Sequence, residues 1–212
     1  MAEQYVVTFV NNSANTGTVC LYQTFPGFGA IGAAYSLAWM TTKAAPSTTV
    51  GFQWSPVLGF AWDQIGVLAP GLIFTAAEYL PANLDSLNQV TLTQLNGGLQ
   101  FVNQGPGPKP GSLFIQQDGT VQLNNAAVAF EMSGQPTLAV QAQPNMTVVL
   151  QPASLYWIIF GTFEQGEVLD TTLFGGNAEA EFTKPAQIVF PPGVFAMTAT
   201  LNPDNTWTVQ PS

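Results

Sequence analysis

Carboxylates are the main catalytic currency this chain possesses. It carries 12 Asp and Glu, 3 basic residues, all lysine, and no histidine. The acids that could work in pairs are Asp63, Glu78, Asp85, Asp118, Glu131, Glu164, Glu167 and Asp170. A glycosidase needs two carboxyls about 5 Å or about 6.5 to 9.5 Å apart, and a platform for the sugar ring. Trp62-Asp63 sets an aromatic beside a carboxylate, and Glu164-Gln165-Gly166-Glu167 sets two carboxylates beside a hairpin tip. The competing reading is that all of these are solvated charges on turns and edges. Glu131 lies between Phe130 and Met132, so it is expected to point outward if those two point in. Asp118-Gly119-Thr120 and Asp204-Asn205-Thr206 offer oxygens to calcium but lack the dense alternating acids of a calcium loop. They read better as β-turns.

The missing residue types exclude more. No histidine means no Ser-His or Cys-His nucleophile and no imidazole metal site. No guanidinium is present to grip phosphate, and Lys43, Lys109 and Lys184 are too sparse for a nucleic-acid or anionic membrane surface. One cysteine, Cys20, allows no internal disulfide, and its apolar flanks Val19 and Leu21 predict a buried, unreactive thiol. No cofactor is expected. Trp39, Trp54 and Trp62 fall close together, with Asp63 beside the last. Core packing accounts for most such tryptophans, and an exposed face for glycan stacking or partner contact is the alternative.

The elements that must position these groups read as strands and turns. Tyr5 to Val10, Thr18 to Thr24, Leu37 to Thr42 and Thr48 to Trp54 come first, with a Gly-rich loop over 26–34. Phe60 to Ile65 and Leu72 to Glu78 follow, and 81–88 has room for one helical turn at most. Asn88 to Leu95 and Leu99 to Val102 flank Asn96-Gly97-Gly98, a strong hairpin signal. Asp118-Gly119 is expected to turn the chain into a strand through Val121 and Leu123, and Gln165-Gly166 into one through Val168 and Leu169. About fifteen short strands at about 8- to 12-residue spacing predict an all-β fold, a single antiparallel β-sandwich of jelly-roll or Ig-like type. The segment 104–111, QGPGPKPG, reads as a rigid surface loop within one domain spanning 1–212. The N-terminus has no basic start and no long apolar run, so no Sec signal is seen. Cytoplasmic synthesis is expected, with export by another route left open. No apolar run is long enough to span a bilayer as a helix.

Several motifs together carry a resemblance. They are Phe9-Val10-Asn11-Asn12-Ser13, Cys20-Leu21-Tyr22-Gln23, Leu37-Ala38-Trp39, Phe52-Gln53-Trp54 and Phe60-Ala61-Trp62. Gly66 to Gly71, Glu131-Met132-Ser133-Gly134, Gln143-Pro144-Asn145, Tyr156 to Gly161 and Asp204-Asn205-Thr206-Trp207 follow in order. This order resembles the RhiA-type proteins of rhizobia. The resemblance implies one all-β domain of bacterial origin, and it supplies no catalytic or binding residues.

Only 7% of the chain is charged, whereas 47% is hydrophobic. An ordinary domain is about 25% charged. Much of the surface must therefore be neutral amide, hydroxyl and apolar groups, which associate with little charge to desolvate. The expected function is a non-catalytic, self-associating structural or interaction protein. A carbohydrate-binding module with exposed tryptophan faces is the alternative, with neutral glycans as partners, and a carboxylate-based glycoside hydrolase is the third reading.

Overall fold

The computed structural model describes residues 3–25, 34–152, 155–172, 174 and 182–212. Most of the Gly-rich loop expected over 26–34 lies outside them. The described residues hold seventeen strands, β1(Tyr5–Asn11) β2(Gly17–Thr24) β3(Ala34–Ser36) β4(Met40–Ala44) β5(Thr49–Trp54) β6(Leu58–Asp63) β7(Glu78–Pro81) β8(Gln89–Leu95) β9(Gly98–Gly105) β10(Leu113–Gln117) β11(Ala127–Met132) β12(Gln135–Gln141) β13(Met146–Leu150) β14(Leu155–Gly161) β15(Ala186–Ile188) β16(Ala196–Leu201) β17(Trp207–Pro211). The fold is all-β.

The strands form four open sheets, ordered β17-β16-β1-β5, β13-β10-β8-β9, β3-β12-β11-β6-β7 and β15-β14-β2-β4. Chain order explains their make-up. The first strands pair with the last, Val6 to Asn11 against Ala196 to Leu201 and Thr18 to Thr24 against Leu155 to Gly161. The middle of the chain builds the other two sheets. One contiguous cluster of buried apolar side chains draws on all four, including Phe9, Leu21, Phe60 and Leu92.

The expectation of wholly antiparallel pairing is corrected at two ladders. β1 lies parallel to β16, and β10 lies parallel to β8. A parallel neighbour requires a crossover rather than a tight turn, so local turn signals do not reveal it. Three further expectations change. Leu72 to Glu78 is not a strand: only Ile73 bridges, to Glu167, and β7 begins at Glu78. Val121 and Leu123 lie in a turn, and Val168 makes only an isolated bridge to Leu37. Phe74 and Val168 pack as cover over a sheet face and Val121 packs into the main core, which selects hydrophobicity without strand pairing. The segment 81–88 is closed by a bridge between Asn83 and Leu87, with no helical turn.

The Pro/Gly-rich loop at 104–111 is pinned from beneath. Asn88 is buried, and its amide donates to the carbonyls of Lys109 at 3.0 Å and Ser112 at 2.8 Å. Its Oδ1 accepts the Gly107 amide at 2.7 Å. The loop carries the chain from β9 to β10 across β8, which pairs with both. No helix of the described residues is long and apolar enough to cross a membrane.

Candidate functional site

Trp39 and Trp54 are brought together, but in the interior, at 1% and 2% exposure. Their rings meet edge to face at 5.2 Å, and Trp54 stacks on Tyr5 at 5.8 Å and meets Tyr156 at 5.2 Å. Trp39 donates its indole N–H to the Met132 carbonyl at 3.1 Å. Trp62 is 8% exposed and gives its N–H to Glu78 Oε2 at 2.7 Å, which also accepts the Phe101 amide. The three tryptophans are core residues, and the large exposed aromatic face entertained for them is not there. The reason is local: Trp54 on β5, Trp62 on β6 and Trp39 just before β4 all turn into the same apolar cluster.

The carboxylates are likewise separated. Asp63 follows Trp62 on β6, so strand alternation puts the two side chains on opposite faces. Asp63 Oδ2 accepts the Thr75 amide at 2.8 Å, and burial raises its pKa against the lowering effect of its backbone hydrogen bonds. Asp63 pairs with Ala127, and Gly59 pairs with Glu131, so the two acids are four residues apart along the ladder. At about 3.4 Å per residue that is about 14 Å between backbone positions, wider than the carboxyl spacing of a glycosidase pair. Glu164 and Glu167 close a turn on each other, the Glu164 amide donating to Glu167 Oε2 at 2.9 Å. Asp118 and Asp204 are turn residues, each carboxylate accepting the amide and hydroxyl of the threonine two positions on. Those bonds hold both pKa values below the ordinary carboxylate value. Cys20 is fully buried, and burial with the Glu167 charge pushes its thiol well up.

Glu131 departs most from expectation. It does not point to solvent: it is 7% exposed, and its Oε2 has no hydrogen-bond partner. Burial pushes its carboxyl from 4.5 up to about 7. The outward face of its sheet is covered by Leu68, Phe74 and Val168, which pack on Ala61, Ala129 and Ala139. The small residues of that face leave room for a cover, and Gly59 leaves room for the acid. A Cβ on Gly59 would collide with Glu131 Oε1. Tyr79, on the same face of the neighbouring strand, has its phenol pKa raised by burial and by the Glu131 charge.

Two clefts open beside these elements. One of about 200 Å³ is lined by Tyr79, Ile73, Thr75, Gln135 and Gln165, with Trp39 at its inner wall. Gln165 bridges to Gln135 across it at 2.8 Å. The other, of about 710 Å³, is lined by Asn15, Thr16, Thr162, Thr183 and Asn205, with Phe160 and Phe182. Both linings are neutral. Neither carries a carboxylate pair.

The remaining feature is a sheet edge. No strand of the β13-β10-β8-β9 sheet carries a charged residue. β13 is its outer strand, with Thr147 and Val149 exposed and Met146, Val148 and Leu150 turned to the core. Val149 keeps 41% of its surface in solvent.

Comparison with known proteins adds a lineage. The chain matches the family described as RhiA over residues 2–212. It is 30% identical over 212 residues to Protein RhiA of Rhizobium leguminosarum bv. viciae, covering 99% of this chain and 87% of that protein. No solved structure matches it.

Proposed function

The chain belongs to the RhiA family, and from that starting point we propose that it is a non-catalytic bacterial protein whose work is association with copies of itself. The observation that carries this reading is the uncharged sheet with an open outer strand, on a chain with only 7% charged residues. An unpaired strand edge without charge or proline is a template for another strand. Exposed apolar side chains support it: Leu95, Leu123 and Val149 stand 58%, 64% and 41% in solvent. The separated and engaged carboxylates favour a protein without hydrolytic chemistry. The four sheets are read as layers of one sandwich-like domain, because a single apolar cluster draws on each.

A second reading rests on the wider neutral cleft. Asparagine and threonine side chains beside Phe160 and Phe182 suit the hydroxyls and ring face of a neutral glycan. Light scattering from nanomolar to high micromolar protein, with a glycan array beside it, separates the two. Mass rising with concentration and an empty array support self-association. A monomer at every concentration overturns it, and a glycan hit then favours the second reading.

A further inference from the structure

We propose that β13 is the contact through which two copies join, by antiparallel pairing of this strand with its own counterpart about a two-fold axis. The inference rests on the self-association reading and supplies its geometry.

Elimination among the sheet edges points to β13. β3 and β15 are three residues long. β4 carries Lys43, and β7 carries Glu78 and Pro81. β9 is already engaged from outside, its Phe101 amide donating to Glu78 and its Gln104 side chain to the Pro81 carbonyl. β17 ends in Pro211, and its Trp207 indole is held by the Lys184 carbonyl at 2.9 Å. β5 carries Gly51, which offers no side chain to a partner, and runs into Ser55, which is bonded through both amide and carbonyl to Ser133. Lysine, proline, shortness and cover are the ordinary guards of an edge. β13 has none within Met146–Leu150, and among the described residues no strand pairs with its outer side.

The occupant follows from the strand's own sequence. Antiparallel overlap of Met146–Leu150 with itself centres on Val148. Met146 then faces Leu150 of the second copy, and Thr147 faces Val149. The inner face continues the core apolar to apolar, and the outer face makes two β-branched pairs of the kind that stabilise sheets. The pairing brings no charge to the seam, so the net charge of -9 on each copy acts only from a distance. A two-fold arrangement uses the same patch twice and closes on itself.

The register gives the test. T147C chains are mixed with V149C chains under mild oxidation. Facing residues have Cβ atoms about 4.5 to 5.5 Å apart, so the mixture is expected to cross-link and each variant alone is not. Cys20 is buried and present in every control. V149K alters an exposed side chain, and it is expected to abolish association at concentrations where the parent associates, with circular dichroism and melting unchanged. If the parent associates while V149K associates equally and the mixture gives no cross-link, the β13 contact is overturned and self-association stands. If the parent is monomeric throughout, the self-association reading itself falls.

Discussion

At the scale of single residues, Glu131 and Gly59 form the most consequential pair. Folding raises the Glu131 pKa from 4.5 to about 7, so the folded state favours the protonated acid. That stabilisation is complete below about pH 4.5 and is lost as pH rises through 7, the reverse of a salt-bridged carboxylate. Melting temperature is expected to fall between pH 5 and pH 8, and E131Q is expected to flatten that slope. The effect amounts to about 1 to 3 kcal/mol, and a pH series of thermal melts on both proteins checks it. Gly59→Ala is expected to cost about 1 to 3 kcal/mol through overpacking. E131A should recover part of that cost, because the added methyl collides with the carboxylate itself. A double-mutant cycle by urea denaturation reads the coupling. The sequence shows that Glu131 opposes Phe130 and Met132, but alternation distinguishes two faces without saying which is wet. Here both are dry, because the 66–77 segment covers the second. Cys20 was legible for the converse reason: apolar residues flank it on both sides, so either face buries it.

At the scale of elements, turns proved easier to read than covers. Asn96-Gly97 supplies the two positive φ values of its hairpin, 53° and 86°, as the residue types require. The aspartate turns at 118 and 204 repeat at Asp170, whose carboxylate accepts the Thr172 amide at 3.1 Å. That third turn lay within the sequence, visible as the same Asp-x-Thr spacing. Leu72 to Glu78 misled because its apolar residues serve a sheet they do not join. The loop at 104–111 owes its order to Asn88, whose three hydrogen bonds no spacing rule announces. Asn88→Ala leaves the half-buried Gly107 amide and two carbonyls without their partner and is expected to cost about 1 to 3 kcal/mol. Hydrogen exchange at Gly107 should rise in that variant out of proportion to the global loss. Equal change everywhere would assign Asn88 to general core packing instead.

At the scale of the whole molecule, charge sets how copies meet. Each carries -9, and repulsion reaches about 30 Å at about 10 mM salt but only about 8 Å at about 150 mM. Association is therefore expected to strengthen across that range, and sedimentation at fixed protein concentration measures it. Weakening with salt would indicate attraction between unlike charges at the contact. The all-β class was plain from short alternating segments between Gly, Pro and Asn turns. The joining of chain ends was not, since parallel neighbours so far apart in sequence leave no local trace. That joining also orders events during synthesis. β1 emerges from the ribosome early, and its ladder partner Ala196–Leu201 emerges only after most of the chain. Until then the nascent protein displays β1, a strand with neither lysine nor acid to discourage neighbours on a polysome. Such a chain is a natural client for a holding chaperone, and a late nonsense codon should be as damaging as an early one.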